Sequence, residues 1–297
     1  MKLSLGPLLY LWDRKTVFDF YDRVCDSSID VVYLGEVVCS KRHHMALHDW
    51  LEVGKRLANA GKEVVLSTLA LSEAESELST MRRIVDNGRF MVEANDIGAV
   101  NMLSGKHPFV IGPHVNVYNA EMLALLAEAG ARRWVAPVEL GDEVLSSLQK
   151  LRPSEMETEV FGFGRLPLAF SARCFTARAN NVPKDSCDFL CGNYPQGLLL
   201  HTREHEPFLV LNGIQIQSAK THNLIGQVNT LRAHGVNIVR LSPQHEGMSE
   251  IIATFRSVVD GSLGSEQATH ALTPFSGQGS CDGYWHQRPG MDWSRSV

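Results

Sequence analysis

Gly54-Lys55-Arg56-Leu57-Ala58-Asn59-Ala60-Gly61-Lys62-Glu63-Val64-Val65-Leu66-Ser67-Thr68 is the stretch from which the fold can be read. A helical pattern ends on Gly61, the chain turns through Lys62, and a run without alternation, Val64-Val65-Leu66, follows. Glycine just past a helix is a stop signal, because without a Cβ the chain turns left-handed there at no steric cost. A strand that is apolar on both faces is one covered on both faces, as in parallel sheets with crossover helices. The same succession recurs along the chain. Strands are expected at Lys2–Leu9, Asp30–Val37, Glu63–Thr68, Phe90–Glu93, Phe109–His114, Arg133–Pro137, Met156–Gly162, Phe208–Leu211 and Asn237–Leu241. Apolar residues at helical spacing predict helices over Thr16–Ser27, His43–Ala60, Ser72–Asn87, Asn95–Ser104, Asn119–Ala129, Gly141–Lys150, Ile225–His234 and Met248–Asp260. Ser72-Glu73-Ala74-Glu75 and Asn119-Ala120-Glu121 read as helix starts, and Asn87-Gly88, Ala129-Gly130 and His234-Gly235 as helix ends.

About eight such units in roughly 250 residues predict an α/β protein with a TIM-barrel-like (β/α)8 architecture. The rival is an open doubly wound sheet. Its dinucleotide fingerprint is missing, since neither Gly162-Phe163-Gly164 nor Gly277-Gln278-Gly279 has the third glycine or the right context. From His270 the chain turns rich in Gly, Ser, Pro and aromatics and loses helical period. The expected organisation is a barrel domain over 1–269, with a cysteine loop at 174–191, and an irregular C-terminal tail over 270–297 that wraps the barrel or reaches a partner.

A net charge of −5 argues against a nucleic-acid footprint, which shows as a basic excess. No apolar run has the roughly 18 residues that a membrane-crossing helix needs, so no transmembrane segment is expected. The apolar beginning, Met1 to Trp12, has one basic residue, an internal Pro7 and no small-residue cleavage site, and reads as a first strand rather than a leader. A cytoplasmic location follows as the expectation. In that reducing compartment clustered cysteines read as metal ligands or catalytic groups rather than disulfides.

Six cysteines are present: Cys25, Cys39, Cys174, Cys187, Cys191 and Cys281. Cys174, Cys187 and Cys191 are spaced C-x12-C-x3-C among Arg, Asn, Lys and Asp, where no apolar period explains them. Iron–sulfur clusters are held by four thiolates, often a local group plus a distant one. Cys39, after the second strand, is the natural fourth. In a barrel the loops after strands two and seven both open on the C-terminal face, where function sits. Structural zinc also takes four thiolates, though usually from paired C-x2-C knuckles, which are lacking here. Cys25, inside an amphipathic helix, reads as a small buried hydrophobe, and Cys281 leans the same way.

The string Gly164-Arg165-Leu166-Pro167-Leu168-Ala169-Phe170-Ser171-Ala172-Arg173-Cys174, followed by Cys187 and Cys191, resembles the cysteine signature of the peptidase-like, collagenase-type family U32. Asp30-Val31-Val32-Tyr33-Leu34-Gly35, His114-Val115-Asn116-Val117-Tyr118-Asn119 and Ala136-Pro137-Val138-Glu139-Leu140 stand where that family's strand motifs are expected. The short length, Cys39 within Glu36-Val37-Val38-Cys39-Ser40-Lys41-Arg42-His43, and the ending from Trp285-His286 to Trp293 resemble the branch that serves ubiquinone biosynthesis. The resemblance implies a 4Fe–4S cluster on Cys39, Cys174, Cys187 and Cys191, and a heterodimer with a UbiU-like sister protein. It implies hydroxylation of the ubiquinone ring precursor without molecular oxygen, the oxygen coming from prephenate, with a lipid-carrier protein of the pathway as a further partner. The chain would then be a subunit of an O2-independent hydroxylase acting on a small-molecule substrate.

Peptidase chemistry is not expected. No Gly-x-Ser-x-Gly elbow is present, and Met45 stands where a zinc peptidase would carry Glu between His44 and His48. Arg165, Arg173 and Arg178 are candidates to clamp a dicarboxylate such as prephenate, since guanidinium forks match carboxylates. Glu36, Glu93, Asn116 and Glu139 fall near strand ends and are candidates for the barrel mouth, with Glu36 and Asn116 as substrate contacts. Two other functions compete: a cluster-dependent RNA base hydroxylation factor, and a zinc-stabilised scaffold without activity.

Overall fold

Strands that are apolar on both faces need neighbours on both edges, and a closed ring supplies them. The protein is described by a computed structural model covering residues 1–294. Positions 295–297, the end of the expected tail, lie outside the described residues. Seven strands alternate with six helices: β1 (Lys2–Leu5), α1 (Arg14–Cys25), β2 (Val31–Leu34), α2 (Leu47–Asn59), β3 (Glu63–Ser67), α3 (Glu75–Val85), β4 (Met91–Ala94), α4 (Ile97–Leu103), β5 (Phe109–Ile111), α5 (Ala120–Glu128), β6 (Ala131–Val135), α6 (Asp142–Leu151) and β7 (Glu157–Phe170). An excursion follows, made of the short helix α7 (Phe175–Ala179) and the strands β8 (Leu198–His201), β9 (Pro207–Asn212) and β10 (Gln215–Asn223). Helix α8 (Val228–Ala233) then leads to β11 (Ile238–Leu241), α9 (Met248–Val259), α10 (Ser265–Leu272) and β12 (Ser280–Cys281).

β1 to β7 pair in parallel in sequence order, and β11 lies between β7 and β1. Lys2 faces Ile238, and Ile238 faces Glu159 on the other side, which closes an eight-stranded parallel barrel. The expected (β/α)8 architecture is therefore present. Helices bury one stripe against it; α1 contributes Val17, Phe18, Phe20, Tyr21 and Val24. Its start is fixed by Asp13, whose carboxylate accepts the Thr16 N–H at 3.0 Å. Asn119 caps α5 in the same way through the Met122 N–H at 2.8 Å.

Several expected boundaries move. Lys2–Leu9 stops at Leu5, and the helix from His43 begins only at Leu47. The helix placed from Ser72 starts at Glu75, with the Glu77 carboxylate accepting the Ala74 N–H at 3.1 Å. Met156–Gly162 continues to Phe170. Past Phe163 it leaves the ring and pairs antiparallel with β10, from Asn223 to Gln215. Close approach explains two glycines here. A Cβ on Gly162 would meet Val239 Cγ1 at 2.3 Å, and one on Gly164 would meet Ser242 Cβ at 2.5 Å. Phe208–Leu211 is a strand, but it belongs to the antiparallel meander β8-β9-β10 outside the ring. Helix α10 was not expected, and it runs across position 270. Beyond it the tail packs on the barrel: β12 pairs with β10 and Trp285 joins the main core. Among the described residues no helix is long and apolar enough to cross a membrane.

The barrel interior is charged. Arg240 of β11 donates to Glu159 of β7 at 2.6 Å and to Glu93 of β4 at 2.7 Å, with its guanidinium 4.0 Å over the Tyr33 ring. Glu159 also accepts from Ser4 at 2.6 Å and from the Tyr33 hydroxyl at 2.5 Å. Arg133 donates to the Tyr33 oxygen at 3.1 Å and pairs with Glu157 and Glu63 at the other end. Burial pushes the Glu159 carboxyl up, but the neighbouring Arg240 and Arg133 outweigh it and hold the group below its ordinary value. A depressed carboxyl contributes stability that is complete above its unfolded value and is lost as pH falls through the folded one.

Arg240→Met is expected to cost about 3–5 kcal/mol in urea unfolding at neutral pH, because buried Glu93 loses its counter-charge and Glu159 the nearer of its two. The pH dependence should also flatten. Glu159 loses its main counter-charge, so the variant should lose less stability than the wild type as pH drops below the ordinary carboxylate range. Equal stability of the two proteins at neutral pH would remove Arg240 from this role.

Candidate metal centre and barrel mouth

Cys39 sits in the loop after β2, and two side chains shape that loop. The Glu36 carboxylate accepts the N–H groups of Val38 at 2.8 Å and Cys39 at 2.9 Å, fixing the turn that presents the thiol. Arg42 points inward and is 4% exposed. It donates to the Leu9 carbonyl at 2.7 Å and to Asn212 Oδ1 at 2.8 Å, and its guanidinium lies 3.5 Å from Glu36. One buried cation thus ties the Cys39 loop to the chain after β1 and to the end of β9. Burial pushes the Glu36 carboxyl up, against the opposing pull of Arg42.

The other three thiols come from the excursion after β7. Cys174 caps α7, its sulfur accepting the Ala177 N–H at 3.4 Å. The helix is docked on the β9–β10 turn by the Phe175 N–H to the Gly213 carbonyl at 2.9 Å, and by the Gly213 N–H to Thr176 Oγ1 at 2.9 Å. Cys187 follows the turn Lys184–Ser186, and Cys191 lies in the turn Leu190–Asn193. Lys184 donates to Glu73 and to the Ala172 carbonyl, both at 2.7 Å, while Asp185 pairs with Lys41. These contacts lay the excursion over the Cys39 loop.

Cys39 and Cys174 pack against one apolar cluster formed by Leu9, Val37, Val38 and Ile214. Cys174 is the electrostatic neighbour of both Cys39 and Cys191, and Lys41 of both Cys39 and Cys187. All four thiols are free and half-buried. Burial pushes the Cys39 thiol up to about 11, and Cys191 upward too, against the opposing charge of Arg42. A metal bound here would have to displace protons from both. Among the described residues no three His, Cys, Asp or Glu side chains form a group that could hold a metal ion. Reduced thiols are nonetheless the donor type that iron–sulfur clusters take, and buried Arg42 lies beside Cys39 and Cys191. Cys25 packs on the main core, and Cys281 is fully buried beside Phe161 and Leu166, its thiol pushed up to about 12 by burial.

The remaining candidates separate. Arg165 donates to the Gln196 carbonyl and lines a hollow of about 110 Å³ with Tyr10 and His245. Arg173 and Arg178 are exposed on the cysteine loop and do not line that hollow. Glu93 lies inside the ring, held by Arg240, Ser67 and Asn95, and does not reach the mouth. His44 precedes α2, so it forms no helical pair with His48. Asn116 and Glu139 do reach the mouth. They line a cavity of about 280 Å³ together with Ala70, His114, Pro167 and Phe170. The His114 ring stands edge-on to Phe170, centroids 4.7 Å apart. Burial, aided by the charge of Arg240, lowers His114 to about 4, so it is neutral at ordinary pH. Sequence reasoning missed Arg42, His114 and Phe170 as site residues. Arg42 had one signal, a carboxylate six positions earlier in the same loop.

Peptidase family U32 matches this chain over residues 18–295. Among solved structures the U32 peptidase Mk0906 is 12% identical, with 82% of this chain and 93% of that one covered and a TM-score of 0.46. N-acetylneuraminate lyase from Aliivibrio salmonicida is 8% identical, with 93% and 79% covered and a TM-score of 0.50, a likeness of fold alone.

Arg42→Met is expected to cost about 3–5 kcal/mol, since it strands Glu36 and leaves Asn212 Oδ1 without its donor. The loss should be local enough to register as faster proteolytic cutting between Val37 and Ala46. Unchanged stability together with unchanged cutting would deny Arg42 its tethering role.

Proposed function

Because the chain belongs to peptidase family U32, we propose that it is a UbiV-like iron–sulfur subunit of an oxygen-independent hydroxylase. On this reading it works with a UbiU-like partner on the ubiquinone ring precursor, with prephenate as the oxygen source. The observation that supports the reading is that Cys174 neighbours both Cys39 and Cys191, with Lys41 beside Cys39 and Cys187. These four residues would hold a 4Fe–4S cluster, which supplies electron transfer. With four protein thiolates engaged no iron is left open, so the hydroxylation itself belongs to the partner or to the shared interface.

The protein's own side chains have definable tasks. Glu36 holds the Cys39 backbone in its turn. Arg42 offsets the negative charge of the thiolates from within the fold, where a cation acts more strongly than in water. Leu9, Val38 and Ile214 keep water from the inner side of the site. The net charge of −5 gives no support to RNA-directed hydroxylation.

Chains purified without oxygen are expected to contain about four irons and four sulfides each, with visible absorption that bleaches on reduction by dithionite. Cys39→Ser, Cys174→Ser, Cys187→Ser and Cys191→Ser should each lose the colour, while Cys25→Ser and Cys281→Ser keep it. One zinc per chain and no colour after anaerobic reconstitution would replace this reading with a zinc-stabilised scaffold.

A further inference from the structure

Three arginines turn inward and each has an acid to meet. Arg42, Arg133 and Arg240 pair with carboxylates at 3.5, 2.5 and 2.7 Å. Arg165 differs. It is half-buried just past the point where β7 leaves the ring, and Nη1 donates to the Gln196 carbonyl. Among the described residues it has no carboxylate partner, and its Nε–H is shut off from solvent without an acceptor. A buried donor left in that state costs about 1–3 kcal/mol. Such a guanidinium points to an acceptor that the polypeptide does not supply.

The position is fixed from several sides. Gly164 has no Cβ to collide with Ser242, so β7 passes close beside the chain that leaves β11. That approach brings Arg165 to Gln244, His245 and Glu246, which line one hollow with it. His245 stands edge-on to Trp12, centroids 5.3 Å apart. The Trp12 indole in turn donates to the Pro195 carbonyl at 2.9 Å, one residue before the carbonyl that Arg165 uses. The loop then runs into α9, whose cap Gly247 offers no side chain to the first N–H groups. In barrels the loops after the seventh and eighth strands, beside a helix start, recurrently hold phosphate. β11 is the eighth strand of this ring.

The hollow, about 110 Å³, is well below the roughly 300 Å³ at which pockets for whole ligands start, so it takes one compact group and not a ring dicarboxylate. It shares no lining residue with the mouth cavity. Its one carboxylate, Glu246, is exposed.

We propose that this hollow binds a phosphate-type oxyanion, free or as the end group of a small ester, with Arg165 as the charged partner and His245 beside it. A tetrahedral anion offers several charged acceptors to the unpaired N–H groups of the guanidinium. Glu246 opposes the anion, so neutralising it strengthens binding. No cysteine takes part, and the site is independent of iron.

The test is titration of the full-length chain with inorganic phosphate and with glycerol 3-phosphate, followed by calorimetry and phosphorus NMR, with acetate as the planar control. At least one phosphate is expected to saturate a single site and to bind at least about tenfold more tightly than acetate, a difference of about 1.4 kcal/mol. Tighter binding of the ester identifies an end group, and equal or tighter binding of inorganic phosphate identifies the free ion. Arg165→Gln should weaken binding about tenfold or more, and Arg165→Lys should restore part of it. Glu246→Gln, at an exposed position, should tighten binding and reads the site without touching Arg165. Acetate binding as tightly as both phosphates, phosphate binding that survives Arg165→Gln, or affinity indifferent to Glu246→Gln would each overturn the assignment. Iron-free and iron-loaded chains should bind alike, so a failure here leaves the hydroxylase reading untouched.

Discussion

Arg240 between Glu93 and Glu159 is the interaction on which the rest depends. Three strands, β11, β4 and β7, meet through one guanidinium in the middle of a ring that excludes water. A barrel core can be filled by branched apolar side chains alone, and here Ser4, Tyr33, Arg133 and Glu159 take part of that space instead. Such an arrangement is unforgiving, because each partner is an uncompensated buried charge without the others. It also fixes register: β11 can satisfy both carboxylates only where Ile238 pairs with Lys2 on one side and with Glu159 on the other.

The ring holds its shape so that the excursion can be placed. β7 serves two sheets, parallel to β11 within the barrel and antiparallel to β10 beyond it. The thiols hang from that second half. Arg42 then ties the opposite loop to the meander through Asn212, so Cys39 and the distant trio are held by one frame rather than by two independent loops. The mouth cavity borrows the same frame, since Phe170 is the last residue of β7.

Much of this was legible in the sequence. Val64-Val65-Leu66 and glycines such as Gly61 and Gly130, both at positive φ, announced parallel strands and helix ends. The cysteine trio stood out because no helical or strand period accounts for it. What stayed hidden was polar material in buried places. Gln215, Gln217, Ser218 and His222 make β10 read as a loop, yet all four are buried between β7 and β9 or β12. Arg42 resembles any solvated loop cation until Leu9 and Asn212 are seen to receive it. His114 and Phe170 become neighbours only through the barrel's curvature, which no local pattern encodes.

The position of the excursion ahead of β11 has a consequence for how the molecule is made. During synthesis from the N-terminus Cys39, Cys174, Cys187 and Cys191 all leave the ribosome before the strand that closes the ring. Until β11 arrives, Glu93 and Glu159 have no Arg240. The segments that carry these cysteines are thus complete on a nascent chain whose barrel is still open.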